Sequence, residues 1–407
     1  MTTEFVFESS SEPEFPKCAS FDEMGLSENL LRGVYSMGFE KPSAIQSVAI
    51  MPMTKGRDVL GQAQSGTGKT GTFGIGLLSR IDPDEKGVQA IVIAHVHELA
   101  EQNHKVISTL SQFMGNKKTG SKISVVYAVG GTPRHQNVRE IRAGAQILCG
   151  TPGRIYDLAS SGEFDLKKLR VFVLDEADEL LRDRFAEQVG EIVKLGLPET
   201  CQVAFFSATM PEEVKDLAGR ILRDPVSITL RTADVKLDAI KQYYVAVEED
   251  SWKVECFSDI FESMIISQSI VFANTKERAE RLYTTLTERG FPVSVIYGNP
   301  MTEAIRQKRM DDFRQGKTRV LIATNILARG IDVQGIGVVF NFDLTSFEDK
   351  ENYIHRIGRC ARFGRKGVAI SFVTPEEKDT LDQIASHYSF TPLPLPQNVK
   401  DITTATA

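Results

Sequence analysis

Cysteine is sparse and scattered. Cys18, Cys149, Cys201, Cys256 and Cys360 form no CxxC pair, which excludes a zinc ribbon and a disulfide framework and leaves them as reduced packing residues. No apolar run reaches the ~18 residues that a membrane helix needs. The acidic start, MTTEFVFESSSEPEF, lacks the basic residues of a secretory leader, so a soluble intracellular protein is expected. Positive charge is not in excess either. Lys and Arg number 48 against 54 Asp and Glu, for a net charge of −6. That excludes a protein that coats nucleic acid by bulk charge but leaves a local basic groove open. Repeats of fixed period are absent. The remaining composition, 42 % hydrophobic and 25 % charged, is that of a globular protein rather than a disordered one.

At roughly 100–200 residues per domain, 407 residues imply two or three domains. Residues 1–20 are rich in Ser, Glu and Pro and read as a flexible N-terminal tail. From Phe21 onward, strand-like runs alternate with amphipathic stretches. VQAIVIA (88–94), KISVVYAV (122–129), RVFVLDEAD (170–178) and QVAFFSAT (202–209) are β-branched and aromatic, and ELAEQNHKVISTLSQFM (98–114) has helical character. Fully apolar strands alternating with helices predict an α/β fold whose parallel sheet is covered on both faces. The rhythm slackens in the polar stretch 231–239, then resumes with QSIVFAN (268–274), VSVIYG (293–298), TRVLIAT (318–324), GVVFNFD (337–343) and GVAISFVT (367–374). The expected layout is therefore a domain at 21–230, a short flexible linker at 231–236, a second α/β domain at 237–395 and a tail at 396–407.

The sharpest pattern is Ala63-Gln64-Ser65-Gly66-Thr67-Gly68-Lys69-Thr70, set between the apolar stretch DVLGQA and the helix-like run TGTFGIGLL. It is a phosphate loop with Ala in place of the first Gly. Small residues let the backbone curl so that its N–H groups point at phosphate oxygens. Lys69 offers a point charge to the β- and γ-phosphates, and Thr70 can reach Mg²⁺. The N-terminus of the helix behind the loop adds a favourable dipole.

The second pattern is Asp175-Glu176-Ala177-Asp178, directly after the apolar strand VFVL. A carboxylate at the end of a buried parallel strand sits where α/β sheets bind ligands. Asp175 is placed to hold Mg²⁺ through its waters, and Glu176 to polarise an attacking water. Asp178 is expected to pair with a basic or hydroxyl group of a neighbouring segment. The third signal is the basic string from His355 to Arg365, with Arg356, Arg359 and Arg362 spaced to share one side of a helix. Guanidinium groups can fork onto a γ-phosphate as charge develops there, contributing roughly 10³–10⁵-fold in rate. Coming from the second domain, they would require the two domains to close.

Together with these strings stand Gly38-Phe39-Glu40-Lys41-Pro42 with Ile45-Gln46, Gly130-Gly131, Thr151-Pro152-Gly153-Arg154, Ser207-Ala208-Thr209, Val271-Phe272-Ala273-Asn274-Thr275 and Ala328-Arg329-Gly330-Ile331-Asp332-Val333. In this order they resemble the DEAD-box ATP-dependent RNA helicases, most of all the eukaryotic translation initiation factor 4A branch, over about residues 21–395. The resemblance implies two tandem RecA-like domains and an RNA-stimulated ATPase that locally unwinds RNA in translation initiation, with ATP and Mg²⁺. Phe39 would stack on adenine, with Phe21 as the upstream aromatic, Lys41 beside it and Gln46 reading the base edge. Ala63, Gln64, Ser65, Gly66, Thr67, Gly68, Lys69 and Thr70 would cradle the phosphates. Thr70 and Asp175 would serve the metal, and Lys69, Asp175, Glu176, Arg359 and Arg362 the chemistry. Asp332 would hold the ribose.

Ser207 and Thr209, with Asp178, would couple nucleotide state to closure. RNA would meet Gly131, Thr151 and Arg154 in the first domain and Asn274, Arg306, Thr324 and Arg329 in the second. Such contacts go to phosphates and 2′-hydroxyls, so RNA would be bound with little sequence preference. A monomer is expected, in the cytoplasm or nucleus and away from membranes, recruited by scaffold or initiation-factor proteins.

One departure stands out. His95-Val96-His97 precede Glu98-Leu99-Ala100 where the family has Pro-Thr-Arg. The Thr hydroxyl and Arg guanidinium that contact RNA are therefore missing, and weaker RNA binding is expected. Smaller departures are Asn325 for Asp, Arg184 for Gly, Ala361 for Gly, Glu303 for Gln, and two extra residues in the loop 345–351. Alternatives with the same ATP motifs are an ATP-gated RNA clamp of an mRNA-processing complex and an ATPase that has drifted from RNA.

Overall fold

The computed structural model describes residues 5–7, 15–63, 66–181, 183–230, 240–264, 266, 268–298, 300–325, 336–360, 367–396 and 402. Gln64, Ser65, the expected linker 231–236, Arg329, Asp332, Ala361 and Arg362 lie outside them. The side chains of Arg184 and Glu303 are likewise not described. The chain divides into two compact units, Met1–Ala233 and Asp234–Ala407.

In the first unit, strands β1 (Phe5–Phe7), β2 (Val59–Gln62), β3 (Ala90–Ala94), β4 (Val125–Ala128), β5 (Ile147–Gly150), β6 (Val171–Asp175), β7 (Gln202–Ser207) and β8 (Val226–Leu230) form one sheet in the order β1-β8-β2-β7-β6-β3-β5-β4. The helices are α1 (Glu28–Ser36), α2 (Ala44–Thr54), α3 (Lys69–Arg80), α4 (His97–Leu110), α5 (Arg134–Arg142), α6 (Pro152–Ser160), α7 (Ala177–Leu180), α8 (Asp183–Lys194) and α9 (Glu212–Ile221). Strands β2 to β8 pair in parallel. Both faces are apolar because both are covered: along β6, Val171 and Val173 enter one core cluster and Phe172 and Leu174 the other. At the β4–β5 pair the strands approach so closely that a Cβ on Gly150 would lie 2.0 Å from the Ala128 carbonyl oxygen, a spacing only glycine permits.

The second unit repeats the arrangement. Its strands β9 (Ile240–Ala246), β10 (Gln268–Phe272), β11 (Val293–Ile296), β12 (Val320–Ala323), β13 (Ile336–Asn341), β14 (Gly367–Val373) and β15 (Leu393–Pro394) lie in the order β11-β12-β10-β13-β14-β9-β15. All their pairings are parallel. Helices α10 (Lys253–Ser263), α11 (Lys276–Glu288), α12 (Glu303–Arg314), α13 (Lys350–Ile357) and α14 (Pro375–His387) accompany them. On β14, Ala369 and Val373 face one cluster and Val368, Ile370 and Phe372 the other. Two tandem RecA-like parallel-sheet units are the fold class the sequence implied.

The segments expected as tails are partly built into these units. Phe5–Phe7 pairs antiparallel with β8, because an apolar Phe-Val-Phe triplet can cap an open sheet edge. Cys18 is buried and its N–H donates to the Ser47 carbonyl at 2.9 Å. Near the other end, Ile402 is buried among the apolar residues of the second unit.

Candidate functional site

Strand order assembles the first constellation. β2, β7 and β6 are neighbours in the sheet, with Gln62 opposite Ser207 and Phe206 opposite Asp175. Parallel strands end on one side, so the phosphate loop after β2, Ser207 at the end of β7 and Asp175 at the end of β6 emerge side by side. Gly66 and Gly68 take φ of 81° and 98°, the left-handed region glycine enters freely. They turn the chain into α3, whose first residue is Lys69. The Lys69 ammonium is buried and donates to the Ala63 carbonyl at 2.7 Å, closing the loop on itself. Thr70 comes next, half-buried, in the first turn of α3.

Asp175 is 2 % exposed. Burial pushes its carboxyl up to about 7, and the neighbouring Glu176 charge adds to this. Lys69 and the Asn103 amide, which donates to Oδ2 at 2.9 Å, pull it back. Glu176 is also buried and holds φ 55°, ψ 57°, a left-handed conformation unusual for a residue with a side chain. Asp178 accepts from the Thr209 hydroxyl at 2.6 Å, and the Thr209 N–H donates to Ser207 Oγ at 3.3 Å. Asp178, Ser207 and Thr209 thus form one hydrogen-bonded chain between β6 and β7.

On the other flank of the loop, Ser43 and Gln46 form a capping box at the start of α2. Gln46 Nε2 reaches the Gly68 carbonyl at 3.4 Å. Phe39 lies over α3, so a Cβ on Gly71 would meet its ring at 3.0 Å and Gln46 Nε2 at 2.7 Å. Phe21, the upstream aromatic, is fully buried. Its ring stacks on Phe39 at 6.4 Å, so it braces Phe39 from behind. Lys41 is exposed nearby in sequence.

Three of the residues expected to meet RNA form a separate group. Gly131 is exposed at φ 76°, and Thr151 is buried at the start of α6. Arg154 is half-buried and donates to Asn137 Oδ1 (2.6 Å) and to the Thr132 carbonyl (2.8 Å) and hydroxyl (3.2 Å). His97 borders them, its Nε2 lying 3.9 Å from where a Gly130 Cβ would sit. Val96 does not: it packs with Leu99, Ala100 and Val129.

In the second unit, β12, β10 and β13 are adjacent, which brings together the residues just after each strand: Thr324 and Asn325, Asn274, and Asp343. Arg356 pins them. Its guanidinium is fully buried and donates to Asn325 Oδ1 (2.8 Å), Asn274 Oδ1 (2.6 Å) and the Asp343 carbonyl (2.6 Å). Burial lowers its pKa to about 9, which still leaves it charged at neutral pH.

The expectation of one helix side does not hold for Arg356 and Arg359, and Arg362 lies outside the described residues. α13 ends at Ile357, Arg356 points into the unit, and Arg359 lies past the helix end, buried, donating to the His355 carbonyl at 3.0 Å. Arg306 lies in α12, half-buried, near the Met301 carbonyl. Asn325, where the family carries Asp, offers Arg356 a neutral acceptor. Asn325→Asp is therefore expected to stabilise the second unit by about 1 kcal/mol, the difference between a neutral and a charge-assisted bond. The gain holds above about pH 4 and is lost as pH falls through the depressed carboxyl pKa. Thermal unfolding of the whole chain at pH 7 and pH 3.5 checks it.

Sequence reading missed Asn103. The signal was available, since it is a polar residue at helical spacing among the apolar Leu99, Ala100, Ile107 and Leu110 on α4. No cluster of three or more His, Cys, Asp or Glu that could cage a metal occurs among the described residues. Thr70 and Asp175 present only hard oxygen donors, which suits a cation held largely by phosphates and water.

The family described as DEAD/DEAH box helicase matches residues 43–217, and the helicase conserved C-terminal domain matches residues 252–364. The chain is 47 % identical over 383 residues to the ATP-dependent RNA helicase eIF4A of Mycosarcoma maydis, covering 94 % of this chain and 90 % of that one. It is 44 % identical to eukaryotic initiation factor 4A of Caenorhabditis elegans, covering 94 % and 92 %. Among solved structures, S. cerevisiae Dbp5 bound to RNA and ADP BeF3 superposes with a TM-score of 0.85 at 36 % identity, covering 95 % of this chain and 99 % of that one. A single-residue variant of Dbp5 bound to a variant of Gle1 and to IP6 gives 0.78 at 35 % identity, covering 96 % and 99 %.

Proposed function

The chain belongs to the DEAD/DEAH box helicase family, and from that premise we propose that it is an ATP-dependent RNA helicase of translation initiation, hydrolysing ATP in response to RNA and separating short duplexes locally. The observation that carries the reading is the adjacency of β2, β7 and β6, which sets Lys69, Asp175, Glu176 and Ser207 around one phosphate loop.

In this reading the nucleotide enters beside Phe39, Lys41 and Gln46, and the loop from Ala63 to Thr70 takes the phosphates. Lys69 leaves the Ala63 carbonyl for the β- and γ-phosphates. Thr70 and Asp175 hold Mg²⁺, which when bound neutralises phosphate charge. Glu176 accepts the proton of the attacking water. Arg359 and Arg362 serve the γ-phosphate once both units engage ATP and RNA, and Asp332 takes the ribose. The Asp178–Thr209–Ser207 chain relays nucleotide state. Gly131, Thr151, Arg154, Asn274, Arg306, Thr324 and Arg329 line the RNA path. The joint between domains falls within 231–236, and initiation-factor or scaffold proteins recruit a monomer in the cytoplasm.

The test is RNA-stimulated ATPase beside strand displacement of a short RNA duplex. Absence of stimulation at saturating RNA would leave an ATPase without an RNA role. Stimulation with a long-lived RNA complex and no displacement would make it a clamp.

Weak RNA affinity is expected at 95–97. Because Val96 is packed in an apolar cluster while His97 borders Gly130, recovery should come from His97→Arg rather than from Val96→Thr. His97→Arg is expected to tighten single-stranded RNA binding and to steepen its dependence on log salt by about 0.7, one added phosphate contact. Fluorescence anisotropy over a salt series reads both.

A further inference from the structure

Asn103 sits fully buried on α4 among the apolar Leu99, Ala100, Ile107 and Leu110. Its Nδ2 donates to Asp175 Oδ2 at 2.9 Å. With Asp175 ionised, the form that holds a cation, the amide is fixed this way round, since reversal would set its oxygen against a carboxylate oxygen. The other end of the amide fares badly: Oδ1 is buried and accepts no hydrogen bond among the described residues, which is unfavourable. A leucine of similar shape would fill the position without that penalty. What Asn103 supplies that an apolar residue cannot is the bond to Asp175, and a local rule broken beside a reactive carboxylate is where function is to be sought.

A carboxylate turns easily about its last side-chain torsion, whose wells are broad. A donor on a packed helix removes that freedom. We propose that Asn103 is a positioning residue that holds the Asp175 carboxylate in a single orientation toward the divalent cation of the bound nucleotide. The inference rests on Asp175 being the cation-holding carboxylate. Partners of this kind, one bond removed from a metal, tune affinity by about 10–100-fold.

The test uses the whole chain and a fluorescent ADP analogue, with affinity measured in Mg²⁺ and in EDTA. Asn103→Leu is expected to cut the Mg²⁺-dependent gain in affinity about tenfold or more while leaving affinity in EDTA unchanged. The Mg²⁺ concentration for half-maximal RNA-stimulated ATPase should rise by a similar factor. Thermal unfolding reports that the variant is folded, and Asn103→Ala provides a second variant with less steric demand. A folded variant with the parent's Mg²⁺-dependent gain overturns the proposal. So does an equal loss of affinity in Mg²⁺ and in EDTA, which would make Asn103 a packing residue only. If the parent itself gains nothing from Mg²⁺, the assignment of Asp175 fails first and the proposal falls with it.

Discussion

Glu176→Gln is expected to bind ATP as the parent does and to hydrolyse it about 10²–10⁴-fold more slowly, the range for a lost general base. The two side chains have the same shape, so packing around this buried position is kept. Only the ability to take a proton is lost. The backbone supports the assignment. A glutamate at φ 55° costs on the order of 1–3 kcal/mol, and such strain persists mainly where it serves a site. Here it falls at the first residue past β6, between Asp175 and the short helix α7. Single-turnover hydrolysis with bound nucleotide quantified separately distinguishes chemistry from binding. Hydrolysis at the parent rate would remove Glu176 from the role of base.

Arg356→Ala is expected to destabilise the second unit by on the order of 3–5 kcal/mol. The guanidinium satisfies acceptors from three chain segments at once, Asn325, Asn274 and the Asp343 carbonyl. It also lies 5.4 Å from the Phe272 ring centre, a favourable cation–π contact. Removing it strands those acceptors after β12, β10 and β13. Arg356→Lys should recover little, because one ammonium group cannot reproduce a planar fork. Denaturant unfolding of the full chain, monitoring the transition of the second unit, gives the comparison. A lysine variant as stable as the parent would show that charge alone suffices.

Much of the fold was legible because the strands are covered on both faces. Continuous apolar runs such as 88–94 and 202–209 announced β3 and β7, and the phosphate loop and the Asp175–Asp178 string marked the ends of β2 and β6. The strand β9, with Lys241 and Gln242 inside it, was not announced, since it carries polar residues near the sheet edge. Strand order was not legible either, being set by crossovers rather than by composition. The direction of a side chain escaped for the same reason. Spacing put Arg356 with Arg359 on one helix side, yet the acceptors that claim it come from residues 274, 325 and 343, distant in sequence for the first two and set by the sheet for all three. The sequence marked Phe21 as an upstream aromatic but could not show that its ring stacks on Phe39.

Helix α4 touches two groups at once. Near its first turn His97 borders Gly130, and at Asn103 the same helix grips Asp175. Six residues of α-helix span about 9 Å, short enough to behave as a stiff rod. One short stretch of helix therefore borders both the glycine turn at 130 and the buried carboxylate at 175, so any shift of α4 along its axis would be felt at both places.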